Sequence, residues 1–517
     1  MDPEKCLDEL GGKNIWILKW FLLISFMKSL PCVFSMYSFQ FTGVKPDSFH
    51  CALPPNVSRE SMIPKERTGD KWEFSSCNQF QSQDNSTIIP CQNGYNYTMK
   101  YFTSSIVTEW DLVCDRAILN ALATSSFFVM SFFGAIISCS IADRFGRKVV
   151  LITAFMCLNL CEFAQTYITS IYVLIVFKLL AGIFQQGCFI SGFTMTIELF
   201  SLRNRSNACL ADTFSWTFSS FILIIYIYFI RDWRNYFFWT SITMLPFCLV
   251  FYHLPESIRW MMAKDQTKNA QILLKTATLY SNPPLPEKTF ENYDKYKRKQ
   301  ESEKLPHYNV LHIFRETLLL RYQLINSFVW FTTAMTYYGV QVKVVEIGNP
   351  FLNFFLSSLV EIPANILCFP IANKYGRKIT IGLTNFLVGF SLFMGYILWK
   401  YLDSPWPAII VFLVGKMLNT GIFNLIFMHV SEFFPTTLRT TAVGMSSSCA
   451  RIGASFGAMI FQITLYHDSI AFVIVIGCCL LTGVLVFCLP ETYRKKMPTS
   501  IEEIKQWVAH KPIISFH

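Results

Sequence analysis

The stretches Asp143-Arg144-Phe145-Gly146-Arg147-Lys148 and Asn373-Lys374-Tyr375-Gly376-Arg377-Lys378 decide the fold, because one basic turn occurs twice, 230 residues apart. Each copy follows a long apolar run. Two further signals recur at nearly the same offset, namely Glu198 with Arg205 and Glu432 with Arg439, and Pro255-Glu256-Ser257 with Pro490-Glu491-Thr492. These repeats predict two structurally equivalent halves. Among membrane proteins, such halves are typical of transporters whose binding site lies between them.

The composition predicts a membrane protein. The chain of 517 residues is 52% hydrophobic and only 15% charged, whereas soluble domains carry roughly 25% charged residues. Its apolar residues come in runs of about 20, which are long enough to cross a bilayer. We predict that all of these runs are helices, because an open strand cannot satisfy its backbone in lipid. The twelve predicted spans lie near 16–37, 119–141, 148–168, 171–199, 208–229, 235–254, 321–341, 350–372, 379–399, 406–430, 441–464 and 470–489.

Charge predicts the orientation of this all-α membrane protein. Alternate loops carry clusters of Lys and Arg, and the positive-inside rule makes these loops and both termini cytoplasmic. The run from Ile15 to Met27 also resembles a signal-peptide core, but the two-half count requires it as a permanent first helix. The predicted parts are a cytoplasmic N-terminus (1–15), a first six-helix half (16–255) with an external loop (42–118), a central cytoplasmic loop (256–320), a second half (321–490) and a cytoplasmic tail (491–517).

The external loop has the sequence features of a segment that folds in an oxidising compartment. It contains four cysteines, Cys51, Cys77, Cys91 and Cys114, so two disulfides are expected, with a pairing that the sequence leaves open. It also contains three glycosylation sequons, at Asn56, Asn85 and Asn96. Both features support an external location for this loop, and we predict that the protein lies in the plasma membrane.

Five motifs in order carry a resemblance to a known family. They are Ser104-Ser-Ile-Val-Thr-Glu-Trp-Asp-Leu-Val-Cys114, Ala142-Asp-Arg-Phe-Gly-Arg-Lys148, Pro255-Glu-Ser-Ile-Arg-Trp260, Leu359-Val-Glu-Ile-Pro363 and Ser431-Glu-Phe-Phe-Pro435. The chain resembles the major facilitator superfamily and, within it, the organic ion transporter family of solute carriers. Phe229-Ile-Arg-Asp-Trp-Arg234 is most similar to the carnitine and organic cation/zwitterion branch. Cys139, Asn373 and Ile258 depart from the family pattern.

The repeated charges predict a cytoplasmic gate. Carboxylates at helix ends and guanidiniums on facing loops can pair across the halves and separate when the halves rock. Each partly exposed pair contributes about 0–1 kcal/mol, which suits a gate that must open. The alternative is that these residues only set the topology. The predicted gate residues are Asp143, Arg144, Gly146, Arg147, Glu198 and Arg205 in the first half, and Gly376, Arg377, Glu432 and Arg439 in the second.

Charges inside the spans predict the substrate site, because a charge at the bilayer centre is costly unless it faces a cavity or a partner. At 1.5 Å per residue, Lys28 lies roughly 18 Å into the first span and Arg451 roughly 15 Å into the eleventh. Glu361 and Lys416 lie at similar depth, and Asp212 and Lys178 nearer an edge. We predict substrate contact for Arg451, Lys28, Glu361 and Asp212, and structural roles for Lys178 and Lys416. Arg451 stands where the resemblance places Arg in anion and carnitine carriers and Asp in cation carriers.

Aromatic residues complete the predicted site. The resemblance places Tyr337 and Tyr338 there, and Trp216 lies at a suitable depth. Aromatic faces attract quaternary ammonium groups, and an arginine can hold a carboxylate through two hydrogen bonds. The combination favours a zwitterion such as a betaine or carnitine-like molecule, with an organic anion second and an organic cation third.

The predicted function is therefore transport of small organic ions by alternating access, secondary active or facilitative. A membrane receptor that binds without transporting is the alternative from another class. The sequence shows no metal cluster, nucleophile triad or phosphate-binding Gly-rich loop, so we expect neither an enzyme nor a cofactor nor a metal. A coupling ion and the oligomeric state stay open, with a monomer sufficient for transport. The lipid bilayer is the other expected partner, and nucleic acid is excluded.

Overall fold

The computed structural model describes residues 7–8, 10, 14–53, 62–68, 71–81, 87–201, 204–251, 253–264, 266–280, 311–435, 438–463, 468–493 and 502–505. The first half contains helices α1 (Ile15–Thr42), α2 (Ile106–Glu109), α3 (Ala117–Phe145), α4 (Arg147–Gln165), α5 (Ile171–Glu198), α6 (Arg205–Phe229), α7 (Trp233–Met244) and α8 (Phe247–Phe251). Helices α9 (Ile258–Ala263), α10 (Thr267–Thr278) and α11 (Leu311–Arg315) follow. The second half contains α12 (Thr317–Glu346), α13 (Pro350–Leu359), α14 (Glu361–Tyr375), α15 (Arg377–Tyr401), α16 (Trp406–Phe433), α17 (Arg439–Ile463) and α18 (Asp468–Val486).

Most of the predicted spans are present as membrane-length helices. Within the described residues, nine helical segments are long and apolar enough to cross a membrane. The other three predicted spans are helical as well. The span 235–254 is divided into α7 and α8, while α12 and α17 are continuous but carry many hydroxyl and amide side chains. Among the described residues, length and apolar character alone therefore support nine of the twelve predicted spans.

Two prolines divide predicted spans. Pro363 has no N–H to donate to the carbonyl of Leu359 four residues earlier, and α13 ends at that residue. The helix resumes as α14 with Glu361 in its first turn, where the positive end of the helix dipole favours a carboxylate. Pro246 acts in the same way between α7 and α8. The break before α14 places the carboxylate of Glu361 near the middle of the molecule.

The two halves meet along two helix pairs. Helix α3 packs against α17, and α6 packs against α13. Within the halves, α1 packs against α5 and α6, and α12 packs against α17. We call the end with Gly146 and Gly376 the turn end, which the sequence predicts to be cytoplasmic. The opposite end, which carries the strands of the predicted external loop, is the loop end.

The loop between α1 and α3 contains β-structure that the sequence reading did not predict. Three antiparallel two-stranded pairs are formed by β1 (Ser48–Cys51) with β6 (Tyr95–Thr98), β2 (Lys65–Thr68) with β3 (Lys71–Phe74), and β4 (Asn78–Phe80) with β5 (Ile88–Pro90). Two disulfides join the candidate cysteines, Cys51 to Cys91 and Cys77 to Cys114. Of the three sequons, Asn96 is exposed on β6, and Asn56 and Asn85 lie outside the described residues. Glycosylation stays a prediction.

Arg234 fastens this loop to the first half and explains why an arginine occurs at the predicted external side. Its Nε donates to both carboxylate oxygens of Glu109 at 3.2 Å, and its Nη2 donates to the carbonyl of Ile168 at 2.6 Å. The indole of Trp233 donates to the same Glu109 carboxylate at 2.7 Å. Two of the motifs that carry the family resemblance therefore meet here in space.

Replacing Arg234 with alanine is expected to lower the free energy of unfolding by about 1 kcal/mol, the usual net value of such partly exposed contacts. Arg234→Lys should recover only part of the loss, because an ammonium lacks the planar fork that spans the carboxylate and the carbonyl. The melting temperature of the purified protein in detergent measures the effect. Equal melting temperatures of the wild type, Arg234→Ala and Arg234→Lys would show that the contact does not contribute to stability.

Candidate substrate site between the halves

The two basic turns have the same geometry. Gly146 and Gly376 adopt φ values of +107° and +91°, and α4 and α15 begin directly after them. Glu256 accepts hydrogen bonds from the backbone N–H of Arg147 and of Lys148, both at 3.1 Å. Such a carboxylate is a favourable cap for a helix N-terminus.

The second half repeats this cap. Glu491 accepts from the backbone N–H groups of Arg377 at 2.9 Å and Lys378 at 3.1 Å. The repeated Pro-Glu-Ser and Pro-Glu-Thr motifs indicated that Glu256 and Glu491 occupy equivalent positions. The sequence alone predicted no role for either carboxylate.

Substituting alanine for Gly376 is expected to cost about 1–3 kcal/mol of stability, because its backbone region is unfavourable for any residue with a Cβ. The new Cβ would also lie 2.6 Å from Oε2 of the capping Glu491. Gly146→Ala should behave alike, since its Cβ would collide with Glu256. Helical Gly477 has nothing within 4 Å of its Cβ position, so Gly477→Ala is the control. A loss in the control equal to that of the turn variants would contradict this account.

The predicted gate charges form a matching cluster in each half. Arg147 Nε lies 3.6 Å from Glu198, and Arg377 Nη2 lies 3.5 Å from Glu432. Arg147 also pairs with the exposed Asp143 at 2.9 Å. We expected pairing across the halves, but these described pairs each join residues of one half.

The remaining gate residues differ in their surroundings. Asn373 takes the place that Asp143 has in the first half, and accepts from Arg377 Nη1 at 2.6 Å. Arg144 is exposed beside the ring of Phe145, Arg439 is partly exposed, and the side chain of Arg205 lies outside the described residues. A gating role stays a prediction for all of them.

Lys28 and Asp212, both predicted to contact substrate, are paired with each other. Lys28 Nζ lies 2.6 Å from Asp212 Oδ2, and Ser25 Oγ donates to Asp212 Oδ1 at 2.8 Å. Both charged residues are buried, with exposed fractions of 1% and 4%. The pair joins α1 to α6 within the first half.

Glu361 and Lys416 form the equivalent buried pair in the second half. Lys416 Nζ lies 3.3 Å from Glu361 Oε1 and donates to Ser357 Oγ at 2.7 Å and to Gln341 Oε1. The hydroxyl of Tyr337 donates to Glu361. This network supports the structural role predicted for Lys416. It also gives the carboxylate of Glu361 a counter-ion from the same half of the protein. Gln341 and Ser357 were missed, because neither polar residue carries a distinguishing pattern in the sequence.

Arg451 differs from both lysines. It lies at the middle of α17, about 18 Å from either end, and its side chain is partly exposed there. In the part of the chain that the structure describes, its Nε has no hydrogen-bond partner and its guanidinium pairs with no carboxylate. Arg451 is thus an uncompensated cation between the halves.

Aromatic residues surround this region. The hydroxyls of Tyr37 and Tyr337 are 3.1 Å apart and join the two halves. Tyr338 donates to Met36 Sδ at 3.4 Å across the same interface. Trp216 is partly exposed, with its ring 6.2 Å from that of Tyr37. The structure therefore brings Tyr337, Tyr338 and Trp216 to one central region, and their contact with substrate stays a prediction.

Contacts between the halves close the loop end. They combine one ion pair, one hydrogen bond from a serine hydroxyl to a backbone carbonyl, and several ring contacts, and they lie on the loop-end side of the central tyrosines. They are Lys45 with Glu346 at 3.5 Å, Ser455 Oγ with Ser125 O at 3.4 Å, and the rings of Phe41 with Phe354 at 5.0 Å and of Phe102 with Phe351 at 5.5 Å.

Comparison with known proteins agrees with this architecture. The family model described as sugar (and other) transporter matches residues 72–504. Organic anion transporter 3 of Sus scrofa is 30% identical over 479 residues, which cover 90% of this chain and 87% of that protein. This chain belongs to the solute carrier 22 family of the major facilitator superfamily.

Two further similarities have lower sequence identity. Organic cation/carnitine transporter 2 of Homo sapiens is 26% identical over 419 residues, which cover 80% of this chain and 74% of that protein. A solved structure of the xylose transporter XylE from E. coli, in the inward open conformation, has a TM-score of 0.61. It shares 15% sequence identity and covers 95% of this chain and 98% of its own. At this identity the likeness shows the fold alone.

Membership of the solute carrier 22 family confirms several predictions. The chain is a multi-pass membrane transporter of organic ions with the major facilitator fold, and it is not an enzyme. Its relatives include proteins named for anions and proteins named for cations and carnitine, so family membership leaves the charge of the substrate open.

Proposed function

We propose that this transporter carries small organic anions that bear a carboxylate, and that Arg451 binds the carboxylate. The observation that supports the proposal is the uncompensated guanidinium of Arg451 between the halves. Its planar fork matches a carboxylate and can make two parallel hydrogen bonds to it. A partly exposed cation without a counter-ion at this depth is costly until an anion binds, which favours an anionic ligand.

The charges of the surrounding residues support the same conclusion. Lys28 is balanced by Asp212, and Lys416 is balanced by Glu361. These four groups therefore add no net charge to the site, and Arg451 leaves it positive by one. This arrangement makes an organic anion the first candidate and moves the zwitterion, which the sequence favoured, to second place.

A zwitterion such as a betaine stays the second candidate because of the aromatic faces. Trp216 is partly exposed and lies 5.8 Å from the ring of Phe189, which is also partly exposed. Such faces attract the quaternary ammonium group of a ligand even where the protein has no unpaired carboxylate to bind it. An organic cation alone ranks third, because the acids that would bind it, Asp212 and Glu361, are already paired.

We infer that transport proceeds by alternating access, with the halves rocking around this site. The aromatic and ionic contacts at the loop end must separate for the site to open there. The paired clusters of Arg147 with Glu198 and Arg377 with Glu432 would brace the turn end when it closes. We propose that the turn end is cytoplasmic and that the protein lies in the plasma membrane.

Uptake into proteoliposomes tests the proposal. The purified protein is given three labelled compounds of similar size, namely a dicarboxylate, a betaine and a quaternary amine, with protein-free liposomes as the control. We expect the dicarboxylate to accumulate fastest and the quaternary amine slowest. Preference for the quaternary amine would overturn the assignment to anions. Saturable binding without accumulation inside the vesicles would instead favour the receptor alternative.

A further inference from the structure

The surroundings of the Lys28 ammonium have the chemistry of an amine-binding site. Its Nζ contacts the carboxylate of Asp212 at 2.6 Å. The rings of Phe189 and Phe193 lie 5.2 Å and 5.6 Å away, close enough for cation–π attraction. One carboxylate and two aromatic faces are the groups with which proteins bind alkylammonium ligands.

We propose that Asp212, Phe189 and Phe193 form an organic-ammonium subsite, and that the side chain of Lys28 is its built-in occupant. Lys28 thereby acts as a specificity-determining residue that keeps organic cations out of the central site. The inference deepens the proposed function, on which its statement about selectivity rests. The existence of the subsite itself rests only on the geometry around Lys28.

The two buried lysines differ in a way that supports this role. Lys416 Nζ has three polar partners, Glu361, Ser357 and Gln341, as a fixed structural cation does. Among the described residues, Lys28 Nζ has Asp212 as its polar partner, and its other near neighbours are the two rings. An ammonium held mainly by a carboxylate and aromatic faces can be replaced by another ammonium of the same shape.

The site also has a connection to the central region. Phe189 and Phe193 are stacked in parallel with centroids 6.2 Å apart, and both are partly exposed. Phe189 in turn contacts Trp216. The stem of Lys28 passes along Gly192, where a Cβ would lie 2.6 Å from the lysine Cβ. Truncation of the lysine at Cβ would therefore leave a slot shaped for an unbranched primary amine of about three carbons, which replaces Cγ, Cδ, Cε and Nζ.

Restoration of the missing ammonium tests the proposal. The Lys28→Ala variant is purified in detergent, and its melting temperature is followed as n-propylammonium is added. We expect a rise of about 2 °C or more in the variant and none in the wild type, because a ligand that binds only the folded state stabilises it. Methylammonium and octylammonium should be weaker, since neither matches the vacated slot.

Two variants serve as controls. Lys28→Ala/Asp212→Asn should fold but not respond to propylammonium, because the carboxylate is removed. Lys19→Ala, an exposed lysine of the same helix, should respond no more than the wild type. A rise in these controls equal to that of Lys28→Ala would show a nonspecific effect and overturn the proposal, as would the absence of any rise in Lys28→Ala.

Transport gives a second readout. Labelled propylammonium should enter proteoliposomes containing Lys28→Ala faster than those containing the wild type. If Lys28→Ala cannot be purified, Lys28→Gln is used, because its amide still donates to Asp212 while leaving the carboxylate charge unbalanced. Cation uptake no faster than that of the wild type would then overturn the subsite. Failure of the wild type to carry organic anions would overturn only the proposed function, because amine stabilisation is measured without transport.

Discussion

Replacing Arg451 with alanine is expected to lower the uptake of carboxylate substrates about 100-fold in Vmax/KM. The guanidinium would no longer bind the carboxylate, and loss of one partner of a buried charge pair costs about 2–5 kcal/mol. Arg451→Lys should retain part of the activity, because an ammonium keeps the charge but lacks the planar fork. Arg451→Asp should abolish carboxylate uptake, because its own carboxylate repels the substrate.

Initial rates of uptake into proteoliposomes measure this series, with the amount of inserted protein held equal. Arg321→Ala is the matched control, because Arg321 is an exposed arginine near the turn end of α12. Arg451→Ala should keep the melting temperature of the wild type or exceed it, since removal of an uncompensated charge that is largely shielded from water does not destabilise the fold. Undiminished carboxylate uptake by Arg451→Ala would refute the assignment of this residue.

Replacing Lys416 with methionine is expected to lower the free energy of unfolding by about 3–5 kcal/mol. Methionine fills a similar volume, but it leaves the carboxylate of Glu361 buried without its counter-ion. Glu361 has an exposed fraction of 4%, so water cannot easily replace the lysine. The remaining donors, Tyr337 and Thr217, satisfy hydrogen bonds but not the charge.

A double-mutant cycle separates the charge from the packing. Lys416→Met/Glu361→Gln should regain a large part of the lost stability, because the pair is then neutral on both sides. Recovery should be incomplete, since the hydrogen bonds of Lys416 to Ser357 and Gln341 are still missing. Denaturant unfolding of the purified proteins gives the four values. Additive losses in the double variant would show that the two residues do not interact.

Some of the site could be predicted because depth in the membrane follows from position along a helix. The rise of 1.5 Å per residue placed Lys28, Arg451, Glu361 and Lys416 at similar height, and the structure brings the tyrosines and Trp216 to the same region. The depth of a residue in the membrane does not tell towards which side of the helix its side chain points. The sequence therefore assigned substrate contact to Lys28, Asp212 and Glu361, all of which the structure shows in internal pairs.

Other features had no usable sequence signal. Phe189 and Phe193 are two of 50 phenylalanines, and nothing in their spacing distinguishes them from residues that face lipid. The hairpins of the external loop are short strands between disulfides, so the period-two pattern that predicts strands has too few residues to be recognised. The break before α14 could have been read from Pro363, which lacks the donor that Leu359 requires.

The sequence by itself determined the twofold repeat and the membrane class, because apolar runs, basic turns and Pro-Glu motifs are local and recur at one offset. It also determined that charges are buried at mid-membrane depth. Only the tertiary structure decided which charges neutralise one another: Lys28 and Asp212 are 184 residues apart and pair through the packing of α1 against α6. Pairing depends on distance in space, which helix packing sets and which no local pattern encodes. For that reason Arg451 stood out as uncompensated only after Lys28 had been paired with Asp212, and Lys416 with Glu361.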